Sequence, residues 1–356
     1  MSTVAQIVQH LRPGGIECLA LELLRNPPGS GNGLLISLEG DADTAIREWP
    51  RLAAHRDRLV FLGKRPGADL GLVFRLARVL RQHGVDRVHT HHVGPMIYGG
   101  AAARLARIRR LVHTEHDAWH LQERKRARLV RRVWSLLLPR LVADAQLVAD
   151  QVRELARIPV AAIVRNGVDL DRFSPGDRMA ARSALGLPAH VELIGVAGRL
   201  AAVKNQSAAL KALTRLPAGS IHLAFAGDGE ERAALEAEAE ALGIRHRVHF
   251  LGHLDGIERF YRAVDVICLP SRFEGYPLSL IEAQACGTPV VATNVGGVAE
   301  AVCPVSGRLV ADGDIVALAA ALDQVLWSSR RCAARTFAER HGSLDTMVSG
   351  YAAVMA

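Results

Sequence analysis

Short runs of Val, Ile and Leu alternate with longer amphipathic stretches along the whole chain. In the first half the runs "VAQIVQHL", "LLISLEG", "RLVFLG", "DRVHTHH" and "RRLVHTEHD" are predicted strands. In the second half "VELIGVAGRL", "IHLAFAGDG", "HRVHFLGH", "VDVICLPS" and "TPVVAT" are predicted strands, separated by predicted helices at 205–216, 230–242, 256–263 and 277–286. Near-continuous apolar strands separated by helices are typical of parallel sheets covered on both faces, so the pattern predicts an α/β protein.

The α/β pattern occurs twice, and the two copies are separated by the segment "RNGVDLDRFSPGDR". Asn-Gly and Ser-Pro-Gly favour turns, and the segment lacks apolar periodicity. A chain of 356 residues is long enough for two cores. Because ligands of open parallel sheets bind beyond the carboxyl ends of the strands, we expect two domains facing each other across a cleft. The predicted boundaries are a first domain at 1–165, a linker at 166–178, a second domain at 179–335, and a closing helix at 336–356 that crosses back to the first domain.

The composition is that of a globular protein, with 49% hydrophobic and 22% charged residues. No apolar run reaches the roughly 18–20 residues of a membrane span, and the first residues do not resemble a signal peptide. The five cysteines are odd in number and scattered, with no C-x-x-C pair. We therefore expect reduced thiols in a cytoplasmic protein, and neither a disulfide framework nor a zinc site.

The charge is distributed unevenly between the halves. Residues 1–165 carry 26 Lys and Arg against 15 Asp and Glu, whereas residues 166–356 carry 18 against 21. The first half, at +11, predicts an anionic partner: nucleic acid, a membrane surface or a phosphorylated acceptor. With aromatic residues at 4%, nucleic acid ranks far behind the other two, because base stacking needs aromatic side chains.

Much of this charge lies in the stretch "WHLQERKRARLVRRVWSLLLPR" (119–140), which carries seven basic residues. Trp, Leu and Val residues are interleaved with them. A basic helix of this kind can lie on an anionic membrane, at the cytoplasmic face of the membrane. It can equally pack on its own domain with the arginines in solvent, and the sequence leaves both interpretations open.

The stretch "SRFEGYPLSLIEAQACGTPVVAT" (271–293) places two glutamates near the start of a helix. Glu274 lies in the loop after a strand, and Glu282 lies inside the helix that Pro277 is predicted to begin. The free amides at Leu278 and Ser279, together with the helix dipole, favour a phosphate there. The two carboxylates are then suited to accept hydrogen bonds from hydroxyl groups on either side of the phosphate, although two solvated surface glutamates are the simpler interpretation of such a pair.

Other strand ends carry candidate groups of the same kind. In "VAGRLAAVKNQ", Arg199 and Lys204 follow a strand where a diphosphate would need cations. Gly15 in "RPGGIECLA" allows close approach of a ligand to the backbone, and Gly227 and His253 lie in Gly-rich strand ends suited to a nucleobase or diphosphate.

The histidines of "VHTHH" and "VHTEHD" end two strands of the first domain. Their spacing fits no common zinc pattern, and we expect His89, His91, His92 and His113 to be loop histidines bonded to the backbone. His116 is the better candidate for a hydrogen-bond donor to a reacting phosphate or sugar.

Taken together, "PGGIE", "VHTEHD", "RNGVDLDRF", "GRLAAVKNQ", "AGDGEE" and "FEGYPLSLIEAQACGTPVVAT" resemble the retaining glycosyltransferase family 4 (group 1), over nearly the whole chain. The resemblance implies the GT-B fold, with two Rossmann-like domains, and transfer from a nucleotide sugar with retention and without a metal ion. "DLD" (169–171) lies in the linker, so it is not expected to be a metal-binding D-x-D motif. Many relatives have Gly where this chain has Pro277, so one amide donor to the phosphate is absent here.

The resemblance also implies a role for each candidate. Glu274 would bind hydroxyls of the donor sugar, and Glu282 would bind the ribose. Arg199 and Lys204 would neutralise the departing diphosphate, which Gly15 and the amides of 278–279 would also bind, and His116 would lie near the reacting centre. No cofactor is implied beyond the donor itself.

The acceptor is expected to be a glycan or a polyprenyl-diphosphate-linked sugar in exopolysaccharide or lipopolysaccharide assembly, and a soluble phosphorylated acceptor is the other possibility. A sugar-nucleotide epimerase of the same two-domain architecture is the alternative enzyme, and a nucleic-acid-binding protein is the remote non-enzymatic one.

Overall fold

The computed structural model describes residues 2–29, 31–217, 219–327 and 331–356. The chain forms two compact units, Met1–Asn166 with Asp345–Ala356, and Gly167–Leu344. Each unit is built around one parallel sheet. The predicted α/β architecture of parallel sheets is therefore confirmed.

The first unit contains a seven-stranded sheet in the order β3-β2-β1-β4-β5-β6-β7. Its strands are β1 (Thr3–Val8), β2 (Asn32–Ser37), β3 (Leu59–Phe61), β4 (Arg87–His91), β5 (Arg110–Glu115), β6 (Arg140–Ala143) and β7 (Ala162–Ile163). Its helices in the first 166 residues are α1 (Gly15–Arg25), α2 (Ala42–Glu48), α3 (Leu70–Gln82), α4 (Val93–Leu105), α5 (Arg124–Leu137) and α6 (Gln146–Gln151).

The second unit contains a six-stranded sheet in the order β10-β9-β8-β11-β12-β13. Its strands are β8 (Glu192–Ala197), β9 (Ile221–Ala226), β10 (Val248–Phe250), β11 (Val266–Leu269), β12 (Val290–Thr293) and β13 (Arg308–Val310). Its helices are α7 (Arg178–Ala184), α8 (Ser207–Leu213), α9 (Arg232–Ala241), α10 (Ile257–Ala263), α11 (Leu278–Ala285), α12 (Ile315–Leu326) and α13 (Arg331–His341). The last helix of the chain, α14 (Leu344–Met355), lies in the first unit from Asp345 onward.

The central strands are buried on both faces, as their apolar runs predict, whereas the edge strands β3, β7, β10 and β13 are partly exposed. Ile194 and Val196 of β8, Phe225 of β9 and Val266 of β11 are each at most 3% exposed. Helices on both sides of the sheet exclude water from these strands, and this burial is the main source of stability.

In both sheets the strand order reverses direction beside the first strand of the unit. The reversal lies between β1 and β4 in the first sheet and between β8 and β11 in the second. The loops that leave two such strands diverge to opposite faces of the sheet, and the crevice that opens at their carboxyl ends is the usual ligand position in open α/β sheets. The loops after β8 and β11 carry Arg199, Lys204 and Glu274.

The segment predicted as a linker, 166–178, packs as part of the second unit from Gly167 onward. Val168 and Phe173 are 3% and 4% exposed, and Val168 forms a parallel bridge with Ser343. Arg262 and Arg335 donate hydrogen bonds to carbonyl groups of residues 170–174. The turn-forming residues therefore mark an interruption in secondary structure, while packing continues through the segment.

Among the described residues, no helix is both long enough and apolar enough to cross a membrane.

Candidate functional site

Two loops of the second unit meet at the point where the strand order reverses. The backbone amide of Arg272, in the loop after β11, donates to the carbonyl of Val203, in the loop after β8, at 2.9 Å. Beside this contact, Lys204 Nζ donates to Glu274 Oε1 at 2.6 Å. The side chains of Lys204 and Glu274 are 30% and 9% exposed. The structure therefore brings together two residues that are 70 positions apart in the sequence.

The Lys204–Glu274 pair adds to what the sequence predicted for each residue separately. Lys204 was predicted to hold a diphosphate and Glu274 to accept hydroxyls. Here the ammonium group also fixes one carboxylate oxygen of Glu274 through a charge-assisted hydrogen bond. An ammonium group has three donors, so this bond leaves Lys204 able to contact an anion while it orients the carboxylate.

The backbone of Glu274 is packed closely against the loop after β12. Gly296 has φ +53°, and a Cβ at this position would lie 1.7 Å from the carbonyl oxygen of Glu274. Only glycine permits this approach, because any side chain would displace the Glu274 loop. Gly296 was not among the predicted site residues, although the Gly-Gly pair two residues after a predicted strand was an available signal.

Arg199 lies in the same loop as Lys204 and is exposed. Its carbonyl oxygen accepts a hydrogen bond from Gln206 Nε2 at 2.8 Å, which fixes the backbone of the loop. Within the described residues its guanidinium group has no hydrogen-bond or ion-pair partner, and it is therefore available to bind an anion.

Helix α11 begins at Leu278, and Pro277 is the cap before it, with φ −73° and ψ 115°. Pro277 was predicted to be the first helical residue; the extended ψ places the first turn one residue later. The amide of Leu280 donates weakly to Pro277 O at 3.3 Å. The amides of Leu278 and Ser279 have no acceptor among the described residues. This is expected, because the first N–H groups of an α-helix have no carbonyl partner within the helix.

Glu282, on α11, accepts a hydrogen bond from the hydroxyl of Tyr261 at 2.7 Å. Tyr261 lies on α10 and is only 1% exposed, so it holds Glu282 from the core side. Tyr261 was not among the predicted site residues, because it and Glu282 lie on different helices and no local pattern links them. This contact restrains the carboxylate that was predicted to bind a ribose.

Gly227 and His253, also predicted to contact the nucleotide, lie at the ends of β9 and β10. A Cβ on Gly227 would lie 2.0 Å from the carbonyl oxygen of Gly198, and the Gly227 amide donates to Gly252 O at 2.8 Å. Close packing between the two loops is therefore enough to require glycine at position 227, with or without a ligand. His253 is exposed, with Nε2 3.7 Å from Asp255 Oδ1. Their predicted contacts with a nucleotide remain predictions.

In the first unit, Gly15 begins α1 directly after its cap Gly14. A Cβ on Gly14 would lie 2.3 Å from Glu17 Oε2, so glycine is needed for this carboxylate to fold back over the helix start. Glu17 is 4% exposed and pairs with His10 at 3.4 Å. A carboxylate at this position lowers the affinity of the helix start for an anion, and the predicted diphosphate contact of Gly15 remains a prediction.

The histidines of the first unit differ from the expectation of loop residues bonded to the backbone. His89 and His91 lie on β4 and His113 on β5, and all three are fully buried. They bond to side chains: His89 Nε2 to Thr114 Oγ1 at 2.7 Å, and His113 Nδ1 to Thr90 Oγ1 at 3.0 Å. The expectation was wrong because alternate residues of neighbouring parallel strands lie side by side, so side chains on β4 and β5 hydrogen-bond to one another, while His89 Nδ1 and His113 Nε2 have no hydrogen-bond partner among the described residues.

His92 follows β4 as the cap of α4, with φ +70°. Burial lowers the pKa of His92 to about 4, and the neighbouring His116 adds to the effect. Burial likewise holds the pKa values of His89 and His91 well below their usual range, with nearby histidines contributing. These three side chains are therefore neutral at pH 7.

His116, predicted to lie near the reacting centre, is 8% exposed and has protein groups at both ring nitrogens. Its Nε2 lies 3.0 Å from His91 Nδ1, and its Nδ1 lies 3.4 Å from Asp144 Oδ2. His91 Nε2 in turn lies 3.0 Å from Gln6 Oε1, so the four side chains form one continuous chain of polar contacts. A ligand would have to displace one of these contacts, and the predicted role of His116 remains a prediction.

Among the described residues, no group of three or more His, Cys, Asp or Glu side chains is arranged to hold a metal ion. Asp169 of the "DLD" segment serves the local backbone, since its Oδ1 accepts from the amides of Asp171 and Arg172 at 3.0 Å. The predicted metal independence remains a prediction.

Two sequence families match almost the whole chain. The profile described as Glycosyl transferases group 1 matches residues 177–339, and the profile described as Glycosyltransferase Family 4 matches residues 13–172.

Among curated proteins, the D-inositol 3-phosphate glycosyltransferase of Mycobacterium sp. (strain KMS) is 37% identical over 262 residues. This alignment covers 68% of the chain and 59% of the relative. The protein of the same name from Mycobacterium tuberculosis (strain F11) is 36% identical over 285 residues, covering 72% of the chain and 58% of the relative. The chain thus spans about 59% of the length of the curated relatives it matches.

Two solved structures are similar along their full length. The structure of Anabaena HepE in complex with UDP and glucose has a TM-score of 0.85 at 22% identity and covers 100% of this chain and 99% of that one. A glycosyltransferase from Rickettsia africae ESF-5 has a TM-score of 0.83 at 20% identity and covers 99% and 97%. The predicted GT-B fold class, with two Rossmann-like parallel sheets, is confirmed.

Proposed function

The chain belongs to the group 1 glycosyltransferases of family 4, and we propose that it transfers a sugar from a nucleoside diphosphate sugar to an acceptor. We further propose that transfer retains the configuration at the anomeric carbon and needs no metal ion. The observation that carries the proposal is the Lys204–Glu274 pair, held at 2.6 Å beside the exposed Arg199 where the second sheet reverses its strand order.

The chemistry follows from these groups. When the bond between sugar and diphosphate breaks, positive charge develops on the sugar and negative charge grows on the leaving phosphate. Arg199 and Lys204 stabilise that phosphate, and the free amides of Leu278 and Ser279 add the dipole of α11. Because the negative charge on the leaving phosphate is greater in the transition state than in the bound donor, these groups accelerate the reaction rather than merely bind the donor.

The carboxylates hold the two ends of the donor. Glu274 accepts hydrogen bonds from sugar hydroxyls while Lys204 fixes its orientation, and Glu282 accepts from the ribose while Tyr261 restrains it. A carboxylate that is already oriented loses little conformational freedom when the donor binds, which favours precise placement of the sugar.

The donor is tested by thermal unfolding with UDP-, GDP- and ADP-sugars. Anabaena HepE, which has a similar structure, forms complexes with UDP and glucose and with UDP-glucose, and this supports a uridine donor here. A donor at 100 times its dissociation constant adds about 2.7 kcal/mol to the unfolding free energy. Arg199→Ala should remove this stabilisation, whereas Arg215→Ala, a change at another exposed arginine, should preserve it. Stabilisation by none of the three donors would contradict the proposal.

The reaction type is tested by identifying the product. NMR of the anomeric proton distinguishes a retained from an inverted linkage, and activity in the presence of EDTA tests metal independence. An epimerised nucleotide sugar with no transfer would favour the epimerase alternative instead.

For the acceptor, we propose a polyprenyl-diphosphate-linked sugar presented at an anionic membrane surface, as in polysaccharide assembly. Helix α5 supports this, because it buries only Ala127 and Val130 on one side. Its other side exposes basic residues together with apolar ones: Leu129 and Leu136 are 51% and 79% exposed, and Leu138, just after the helix, is 61% exposed. Basic and apolar groups on one exposed face are the combination that binds an anionic membrane surface.

The membrane contact is tested by sedimentation with vesicles. The protein should bind phosphatidylglycerol vesicles and not phosphatidylcholine vesicles. Leu136→Glu should weaken binding, while Leu105→Glu, a matched change at an exposed leucine of α4, should not. If Leu136→Glu binds as tightly as the wild type, α5 is not the contact surface.

A soluble phosphorylated acceptor is the second candidate. The curated relatives are named for D-inositol 3-phosphate, and the same basic surface suits a phosphate group. Transfer to D-inositol 3-phosphate in the absence of vesicles would support this candidate over the lipid-linked one.

A further inference from the structure

A cavity of about 480 Å³ lies in the second unit, at the far end of α11 from the candidate donor site. It opens where α11 ends at Cys286–Gly287 and where α13 begins. Its lining combines four arginines with small and apolar residues: Arg178, Arg262, Arg331 and Arg335, with Pro175, Gly176, Cys286, Gly287, Cys332 and Thr336.

The cavity is separate from the donor site. Gly287 lies just before β12 and Asp265 just before β11, so the cavity adjoins the amino ends of these strands. Lys204 and Glu274 lie at the carboxyl ends of β8 and β11. The eight residues of α11 span roughly 12 Å between the two positions.

The cavity has more positive than negative charge. None of its lining residues is acidic. The carboxylate of Asp265 contacts both Arg178 and Arg331, and it also contacts Arg182. It accepts hydrogen bonds from Arg331 at 3.2 Å, from Arg182 at 2.5 Å, and from Arg178. Asp265 therefore serves three guanidinium groups directly, and Glu192 beside it adds a second negative charge near them.

The other two arginines of the lining, Arg262 and Arg335, have different partners. Arg335 is paired with Glu339 at 2.7 Å. Arg262 donates to the carbonyls of Ser174 and Arg172 and to Ser174 Oγ, and it has no carboxylate partner among the described residues. Structural hydrogen bonds account for the positions of Arg262 and Arg335, but a bond to a neutral carbonyl leaves the charge of Arg262 uncompensated.

Arg178 and Arg331 remain partly open to solvent, with side chains 46% and 39% exposed. Burial lowers the pKa of Arg331, and Arg178 and Arg182 lower it further, against the opposing effects of Asp265 and Glu192. The surroundings of Arg331 thus oppose its charge, and an anion bound beside it would relieve that cost.

We propose that this cavity is a second binding site, which takes a small phosphorylated molecule carrying two or more negative charges. Arg178 and Arg331 supply guanidinium donors suited to phosphate oxygens, Arg262 adds a third charge, and Pro175 and Cys286 provide an apolar wall for the rest of the ligand. A volume of about 480 Å³ is within the range of small-molecule sites. This inference goes beyond the proposed function and does not depend on it.

Cys332 offers a readout specific to this cavity. It lines the cavity and is exposed, whereas Cys286 is buried and its pKa is raised to about 12 by that burial. The rate at which iodoacetamide alkylates Cys332, followed by mass spectrometry of its peptide, therefore reports whether the cavity is occupied. Inorganic pyrophosphate is the probe, with sodium chloride holding the ionic strength constant.

We expect pyrophosphate to slow alkylation of Cys332 about fivefold or more, with saturation. The double change Arg178→Gln with Arg331→Gln should weaken this protection about tenfold or more, since each phosphate contact to a charged donor contributes strongly. Lys204→Ala, which acts on the donor site, and Arg215→Gln, at an exposed arginine outside the cavity, should leave the protection unchanged.

Thr336→Glu provides a second variant that keeps every arginine in place. Thr336 lines the cavity and is exposed, so a carboxylate there should repel the probe without removing a structural bond. If the double arginine variant does not fold, this variant decides the question. Absence of saturable protection in the wild type, or equal protection in Thr336→Glu, would overturn the proposal.

Discussion

The strand order reverses in the same way in the two sheets, but the polar side chains near the carboxyl ends of their strands differ in exposure and in hydrogen bonding. In the second unit Arg199 is exposed, and Lys204 and Glu274 remain 30% and 9% exposed. In the first unit His89, His91 and His113 are fully buried and bonded to neighbouring side chains. A charged group that remains accessible can bind a ligand, whereas a buried histidine bonded to the neighbouring strand supports the sheet.

Because of this difference, the free-energy cost of a charge is not the same at the two edges. A charged side chain that stays hydrated costs little folding free energy. Its attraction to a ligand of opposite charge becomes stronger when the ligand displaces water and lowers the local dielectric constant. Buried histidines must remain neutral, because a charge in the interior is expensive. Donor chemistry is therefore expected to depend on the second unit, and acid sensitivity on the first.

The largest expected effect is that of Glu274→Gln on catalysis. The amide retains the size of the side chain but loses the charge that pairs with Lys204 and the second strong acceptor for sugar hydroxyls. We expect kcat/KM to fall about 10²–10³-fold, about 3–4 kcal/mol, with donor as the varied substrate.

Binding of the free nucleoside diphosphate to Glu274→Gln serves as the control for this prediction. Lys204, released from its partner, should bind the diphosphate at least as tightly as in the wild type, measured by calorimetry. If diphosphate binding is lost while thermal unfolding is unchanged, Glu274 holds the nucleotide rather than the sugar.

The next effect is the loss of stability of the first unit in acid. The pKa values of His89, His91 and His92 lie below the unfolded value of 6.5, so the unfolded chain takes up protons first as the pH falls. Stability contributed by these neutral forms is complete above pH 6.5 and decreases below it. Between pH 6.5 and 5.5 each histidine should cost about 1 kcal/mol, or about 3 kcal/mol together.

Urea unfolding followed by tryptophan fluorescence measures this loss, because Trp49, Trp119 and Trp134 lie in the first unit and Trp327 in the second. His120 acts in the opposite direction. Burial lowers its pKa, but the hydrogen bond to Asp117 and the charge of Glu115 raise it more.

His91→Gln is the matched variant, since glutamine can still hydrogen-bond to Gln6 and His116. It should reduce the pH dependence by about one third of the total. An unchanged slope would show that His91 does not contribute to the acid sensitivity.

The smallest effect tests the second unit again. Tyr261→Phe removes the hydroxyl that donates to Glu282 at 2.7 Å while leaving the buried ring in place. A lost hydrogen bond to a charged group should weaken donor binding about fivefold, about 1 kcal/mol. Calorimetry with the donor measures this, and Phe260→Leu, a buried change on the same helix, controls for general loosening of α10. Equal affinity in Tyr261→Phe would show that Glu282 needs no such restraint.

Much of the fold could be predicted from the sequence, because the apolar period is a local property. The strand predicted in "VELIGVAGRL" is β8 at Glu192–Ala197, and the helix predicted at 256–263 is α10 at Ile257–Ala263. The segment 166–178 was harder to interpret, since turn residues describe local backbone geometry. The packing of Val168 and Phe173 into the second unit depends on partners far along the chain.

The candidate site divides in the same way. The sequence by itself determined which groups follow the strands of the second sheet, since Arg199, Lys204 and Glu274 each come directly after an apolar run. Only the tertiary structure decided that Lys204 bonds to Glu274, that Tyr261 bonds to Glu282, and that His116 is enclosed by His91 and Asp144. The reason is that strand periodicity is encoded by adjacent residues, whereas the distance between two side chains is fixed by sheet order and packing, which bring Lys204 and Glu274 together across 70 positions.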